Sequence, residues 1–176
     1  KIVDEQGKVV PRGQLGELCV RGYSVMLGYW EDHEKSQEVI DSARWMHTGD
    51  IAEMDEAGFV KIKGRIKDVV IRGGENLFPK EIEDFLYTHP DVSDVQVIGL
   101  PDARYGKELC ACIILHEHHE ITEESIRQYC AEHISHNKVP RYVRFFNEFP
   151  MTASGKAQKF KLQEFMRNEL DLKEIA

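Results

Sequence analysis

Apolar residues in the first third of the chain come in short runs broken by glycine. Residues 1–3 are strand-like and are followed by the turn Asp4-Glu5-Gln6-Gly7; Val9-Val10-Pro11, then Gly13 and Gly16, lead to the apolar stretch Leu18-Cys19-Val20. Such runs predict small antiparallel strands. Residues 34–40 are predicted as a brief helix with Asp32 as N-cap. Residues 51–54 and 59–62, joined by Asp55-Glu56-Ala57-Gly58, predict a β-hairpin. Strands this short bury too little for a full core, so the segment is expected to pack against something more.

Beyond Arg65 the pattern changes. Residues 68–72 are β-branched, Gly73-Gly74 is a turn, and Asn76-Leu77-Phe78 resumes an extended path. Pro79 suits the first turn of a helix, where its missing N–H costs nothing. Ile82, Phe85 and Leu86 give that helix one apolar face at i, i+3, i+4. Residues 92–100 predict a strand, and the unbroken apolar run 109–115 predicts a central strand buried on both faces. Thr122 is the expected cap of a further helix, with Glu123 and Glu124 at its positive end and Ile126, Tyr129, Cys130, His133 and Ile134 facing inward. A strand over 142–146 and a last helix from about Gln158, carrying Leu162, Phe165, Met166 and Leu170, complete the order. Strand, helix, strand, strand, helix, strand, helix describes an α+β fold with helices packed on a small sheet.

Composition narrows the class. With 41% hydrophobic and 31% charged residues among 176, the chain has the balance of a folded globular protein. No apolar run approaches the roughly 20 residues that cross a bilayer, so no membrane span is expected. A net charge of -8 argues against nucleic-acid binding, which draws affinity from Lys and Arg on phosphates. Cys19, Cys110, Cys112 and Cys130 lack zinc-ligand spacing and read as buried small hydrophobes in a reducing compartment. His116-Glu117-His118-His119 falls between a strand and a helix and reads as an exposed connection, with no metal assigned. The first residue is Lys rather than Met and no targeting pattern follows, so the sequence reads as an excerpt of a longer protein.

Three motifs carry candidate chemistry. Asp50 follows Thr48-Gly49, where glycine permits close backbone approach and a carboxylate accepts hydrogen bonds from both ribose hydroxyls. Taken alone, it reads first as an acidic turn residue entering the next strand. Arg65, in Gly64-Arg65-Ile66-Lys67-Asp68, offers a fork of donors to a ribose or phosphate; alone, it is a surface arginine beside a glycine. Lys156 ends Pro150-Met151-Thr152-Ala153-Ser154-Gly155-Lys156. A P-loop is excluded, because Pro150 stands where its first glycine belongs and Ala157 where Ser or Thr would bind Mg²⁺. What stays is an ammonium on a mobile glycine turn, able to swing into a site and out again.

In this order, and preceded by Gly16-Glu17-Leu18-Cys19-Val20-Arg21-Gly22 and Gly28-Tyr29-Trp30, these motifs resemble the C-terminal third of adenylate-forming enzymes: the acyl-CoA synthetase, luciferase and peptide-synthetase adenylation superfamily. The resemblance covers essentially the whole chain and is greatest to the mitochondrial medium-chain acyl-CoA synthetases. It implies that residues 1–66 end a large N-terminal domain and that 67–176 form a small mobile C-terminal domain, with its hinge at Lys67. Relatives often carry Asp at that hinge.

The implied reaction has two halves. A fatty acid carboxylate attacks ATP, giving acyl-adenylate and pyrophosphate; coenzyme A then displaces AMP. Asp50, Arg65 and Lys156 are the implied nucleotide contacts, with Lys156 catalytic in the first half. Gly73, Gly74, Tyr105, Lys138 and Arg141 are the implied coenzyme A contacts, although Asn137 replaces an aromatic found in relatives. The Mg²⁺ ligands, the ATP triphosphate loop and most of the acyl pocket are implied to lie upstream, so this stretch alone is expected to be inactive and to partner the N-terminal domain. A mitochondrial location follows from resemblance only. The alternatives are an adenylating enzyme with another acceptor, such as a carrier protein or oxygen, and a non-catalytic binding or regulatory module.

Overall fold

A four-stranded antiparallel sheet in the order β1-β2-β3-β4 opens the chain, built from Ile2–Val3, Gly16–Val20, Met46–Met54 and Val60–Arg65. The structure is a computed structural model that describes residues 1–117 and 121–172. Between β2 and β3 runs the short helix α1 (His33–Val39), whose first turn is capped by the Asp32 carboxylate accepting from the Lys35 amide. This unit, Lys1–Lys67, buries only Ile2, Val3, Cys19, Ile40 and Ala52 among its apolar residues. Leu27, Trp30 and Phe59 stay largely exposed. The thin core is what short, glycine-broken strands were expected to give.

The second unit, Asp68–Ala176, is built differently. A two-residue turn joins β5 (Val70–Arg72) to β6 (Glu75–Leu77). Helix α2 (Pro79–Leu86) follows with Pro79 in its first turn. Strands β7 (Val92–Asp102), β8 (Gly106–Leu115) and β9 (Tyr142–Phe145) make a three-stranded sheet with β8 in the middle, antiparallel to β7 and parallel to β9. The parallel step needs a crossover, supplied by α3 (Glu123–His133). The last helix, α4, spans Lys159–Glu169.

Residues 109–113 of β8 are completely buried, as the unbroken apolar run requires. Alternate side chains point to opposite faces of a strand. Leu109, Ala111 and Ile113 accordingly join a cluster with Ile82 and Leu86 of α2 and Ile126 and Cys130 of α3. Cys110 and Cys112 join the other, with Ile98, Leu100, Phe149 and, from α4, Leu162 and Met166. The sheet is thus covered by helices on both faces, an α+β layer arrangement. All four cysteines are buried free thiols. Burial pushes the Cys130 thiol up to about 11, and Cys110 is raised by its bond to Cys112 and by burial, so both remain protonated and unreactive.

Two side chains expected inside are outside. Phe165 is 51% exposed because Leu162 and Met166, one helical turn apart, define the inward stripe of α4; its ring lies edge-on to Phe146 instead. His133 sits at the exposed end of α3, its Nδ1 2.8 Å from the Tyr129 carbonyl and its ring 4.8 Å from the Tyr129 ring. Of the histidine cluster, His118 and His119 lie outside the described residues. Among the described residues, no helix is long and apolar enough to cross a membrane.

Candidate functional site

In the first unit, Thr48-Gly49-Asp50 is not a turn ahead of a strand but a bulge inside β3. Glu17 of β2 pairs with Ile51 and Cys19 pairs with His47, so residues 48–50 together face the single residue Leu18. A bulge of this kind re-aims the side chain that leaves it. Gly49 has φ +70, a conformation that costs glycine little and other residues more. Side chains hold the distortion. The Thr48 hydroxyl donates to the Leu18 carbonyl (2.8 Å) and accepts from the Asp50 amide (3.1 Å). The Glu17 carboxylate accepts from the Gly49 amide through Oε1 (3.1 Å) and lies 2.7 Å from His47 Nδ1 through Oε2.

Asp50 emerges directly across from Arg65 of β4, with Arg65 Nε 3.1 Å from Asp50 Oδ1. The Arg65 side chain is 52% exposed, and an ion pair this open contributes less than about 1 kcal/mol, so its consequence is orientation rather than stability. Among the described residues Asp50 Oδ2 has no hydrogen-bond partner, which leaves an acceptor beside a guanidinium facing solvent. The structure therefore brings Asp50 and Arg65 together. Lys67 lies exposed in a single 3₁₀ turn, Ile66–Asp68.

Ligand atoms of Glu17, Cys19 and His47 lie within 4.8 Å of one another. Both carboxylate oxygens are already engaged by Gly49 and His47, and burial together with the nearby Glu17 charge raises the Cys19 thiol. The cluster reads as a brace on the strand rather than a metal centre.

In the second unit, the β5–β6 turn has positive φ at both central residues, Gly73 (+59) and Gly74 (+90), the type I′ pattern that nearly demands glycine. A side chain on Gly73 would also meet the Tyr105 ring at 3.3 Å, and the Gly73 amide donates to the Tyr105 carbonyl (2.9 Å). Tyr105 sits in the β7–β8 turn. Its ring centroid is 4.9 Å from the Arg72 guanidinium and 5.0 Å from that of Arg104. Asp102 organises that turn, accepting from the Arg104 and Tyr105 amides through Oδ1 (both 2.9 Å) and from Arg141 Nη1 through Oδ2 (2.7 Å). Gly73, Tyr105 and Arg141 are thus gathered at one end of the sheet. Lys138 joins them less directly. Its ammonium is 2.5 Å from Glu81, while the preceding Asn137 accepts from Arg72 through its carbonyl (3.4 Å).

Sequence reasoning missed the residues at the centre of this group. Glu108 is 1% exposed, and Arg72 holds it with two bonds, Nε at 2.8 Å and Nη2 at 3.0 Å. The available signals were a carboxylate directly before the apolar run of β8 and a guanidinium directly before Gly73. The bond from Glu108 raises the Arg72 pKa further, so the guanidinium is permanently charged.

The Asp102 carboxyl is held below the usual range, chiefly by the Tyr105 and Arg104 amides and by the Arg141 and Arg72 charges. A depressed native pKa stabilises the fold above the unfolded value and loses that contribution as pH falls through the native one. Asp102→Asn is expected to lower stability by roughly 1.5–3 kcal/mol at neutral pH, the worth of hydrogen bonds to a charged group. Urea midpoints of the two proteins should converge as the medium is acidified below the ordinary carboxylate pKa, and a constant gap would show that ionisation is not the cause.

Lys156 stands apart from this group; among the described residues it shares no hydrogen bond or ion pair with it. Its turn is more ordered than a loose glycine loop. The Thr152 amide donates to the Lys156 carbonyl (2.8 Å), the Gly155 amide to the Thr152 carbonyl (3.0 Å), and the Lys156 amide to the Thr152 hydroxyl (3.0 Å). The Gln158 side chain ties back to the Met151 carbonyl (2.8 Å), and the Lys159 ammonium anchors the start of α4 to Glu83 (2.6 Å). The backbone is fixed, and what is free is the exposed side chain, whose ammonium has no partner among the described residues.

Residues 81–156 match the model of the AMP-binding enzyme C-terminal domain, and residues 1–30 match that of the AMP-binding enzyme. The chain is 54% identical over 168 residues to the medium-chain acyl-CoA ligase ACSF2, mitochondrial, of Bos taurus, covering 96% of this chain and 27% of that protein. Among solved structures it resembles the anthranilate CoA ligase AuaEII in complex with anthranoyl-AMP (TM-score 0.88, 36% identity, 98% of this chain and 34% of that one). It also resembles the amide bond synthetase McbA from Marinactinospora thermotolerans (TM-score 0.86, 34% identity, 93% and 34%). The chain spans about a quarter of the bovine relative's length and a third of each solved chain.

Proposed function

Because this chain belongs to the AMP-binding enzyme family, as a C-terminal part of it, we propose that the whole protein is an ATP-dependent acid–thiol ligase that converts a medium-chain fatty acid to its coenzyme A thioester through an acyl-adenylate. One observation carries the reading: the charges it needs are available to solvent. Among the described residues Lys156 has an unpaired ammonium, and Asp50 keeps one carboxylate oxygen open beside Arg65.

In the first half-reaction Asp50 accepts hydrogen bonds from the ribose, Arg65 holds the carboxylate in place and adds donors of its own, and Lys156 neutralises charge gathering on the α-phosphate and carboxylate oxygens. Lys67 is the hinge between residues 1–66 and the small domain 67–176. Two conformers separated by a few kcal/mol are exchanged by ligands that bind them differently, so pyrophosphate leaving and coenzyme A arriving suffice to drive rotation. In the second half-reaction Gly73 and Gly74 give the pantetheine arm a path free of side chains, and Tyr105 neighbours the adenine. Arg141 has donors beyond the one on Asp102, and Lys138 has donors beyond the one on Glu81, so both retain capacity for the coenzyme's phosphates. The reading assigns Mg²⁺ to residues upstream of this stretch, in the large domain that is its partner, and it adopts the mitochondrial setting of the bovine relative.

Pyrophosphate release by the full-length protein across a series of carboxylic acids tests the first half. Acid-dependent release peaking with medium-chain fatty acids, followed by thioester formation on adding coenzyme A, is the expected result; no acid-dependent release overturns the proposal. The likeness to an amide bond synthetase favours a second reading, with the same adenylate passed to another acceptor. Adenylate that is inert to coenzyme A but consumed by a carrier protein or an amine would decide for it.

A further inference from the structure

We propose that Glu17 is a positioning residue for nucleotide binding: its carboxylate spans the bulge in β3 and sets the direction in which Asp50 leaves the strand. The inference rests on the ribose role proposed for Asp50. The two oxygens of Glu17 divide their work. One fixes the Gly49 amide at 3.1 Å, the other the His47 ring at 2.7 Å, and these are the residues immediately before Asp50 and immediately before Thr48. Without Glu17 the bulge is held by the Thr48 hydroxyl alone, on the Leu18 carbonyl and the Asp50 amide, while Gly49, already in a left-handed conformation, loses the bond to its own amide. Asp50 would then lose its fixed register opposite Arg65.

Among the described residues Glu17 shares no hydrogen bond or ion pair with Asp50 or Arg65; both its carboxylate oxygens are taken up by Gly49 and His47 across on β3, with a side chain 21% exposed. His47 faces Cys19 Sγ at 3.5 Å and Asp41 at 3.9 Å as well, so the ring is confined from several sides and makes a rigid anchor. A brace needs the right length and two polar ends more than it needs charge. That distinction supplies the test.

The full-length enzyme is prepared with Glu17→Ala, Glu17→Asp, Glu17→Gln and, as a control, Asp50→Ala, and KM for ATP, KM for coenzyme A, kcat and melting temperature are measured. Misplacing a positioning group by about 1 Å can cost as much as about a hundredfold, so Glu17→Ala is expected to raise KM for ATP several-fold or more, up to about that factor, and leave KM for coenzyme A in place. Glu17→Asp keeps the charge but is one methylene too short to hold both partners, and is expected to behave like Ala. Glu17→Gln keeps the length, its amide oxygen accepting from Gly49 and its NH₂ donating to His47 Nδ1 once the neutral ring carries its proton on Nε2, and is expected to recover most of the loss. If Glu17→Ala does not fold, the Asp and Gln pair decides alone. Recovery by Asp and not Gln overturns the proposal in favour of plain charge. A uniform change in every kinetic constant, tracking melting temperature, overturns it in favour of general stability. Glu17 variants with normal KM for ATP beside an Asp50→Ala enzyme with a raised one overturn the brace and spare the ribose reading. An Asp50→Ala enzyme with normal KM for ATP overturns both.

Discussion

Lys156→Ala in the full-length protein is expected to slow adenylate formation by about 10²–10³-fold, the usual worth of one preorganised charge aimed at a transition state. The substitution should not disturb the turn, because the hydrogen bonds that shape it come from the backbone of residues 150–158 and from the Thr152, Ser154 and Gln158 side chains, and none described comes from the Lys156 side chain. An exposed side chain removed from such a place changes stability by less than about 0.5 kcal/mol, so the loss is chemical and not structural. Thioester formation from supplied acyl-adenylate should be spared, since in the proposed scheme the lysine has withdrawn by then. Pre-steady-state pyrophosphate release and thioester formation, followed separately, give the two numbers. Equal loss in both halves removes Lys156 from the role given to it. Lys156→Arg sharpens the result: it restores charge on a wider, planar group, and only partial recovery is expected where a compact ammonium is required.

What the sequence made legible, and what it hid, divides by the range of the interactions involved. The β8 strand was visible because burial on both faces forces an unbroken apolar run. The N-caps Asp32 and Thr122 were visible because each bonds an amide three residues on. The candidate residues Asp50, Arg65 and Lys156 were visible only jointly, through the order of their motifs. The bulge that aims Asp50 was hidden, because it is a mismatch between strands some thirty residues apart and leaves no local periodicity. His133 and Phe165 were misread for a related reason: helical spacing marks a stripe, but which neighbour of the stripe lies at its edge depends on the opposing surface. The pair formed by Arg72 and Glu108 was hidden too, since 36 residues separate two charges that read individually as surface positions.

That pair carries the second large effect. Arg72→Ala would leave a carboxylate with 2% side-chain exposure whose remaining cationic partner among the described residues is Arg141 Nη1 at 3.9 Å. Removing one partner of a buried ion pair costs about 3–5 kcal/mol, and the 19% exposure of Arg72 together with the residual Arg141 contact places the expectation at the lower end, about 3 kcal/mol. At about 1.36 kcal/mol per decade, amides of 109–113 that exchange by opening of the whole unit should exchange about 10²-fold faster in the full-length protein. The same substitution removes the guanidinium 4.9 Å from the Tyr105 ring and frees the residue that leads into Gly73, so KM for coenzyme A should rise as well. Stability and binding can then be separated. A buried ion pair replaced by apolar residues of similar volume is often neutral, so Arg72→Met with Glu108→Leu should restore most of the exchange protection. It should not restore KM for coenzyme A, because neither new side chain holds the Tyr105 turn electrostatically. Recovery of both by the double variant would mean that the coenzyme reads only the stability of this unit. Unchanged exchange in Arg72→Ala would mean that Glu108 does not depend on its partner, and the network would lose its claim to organise the turn that carries Gly73 and Gly74.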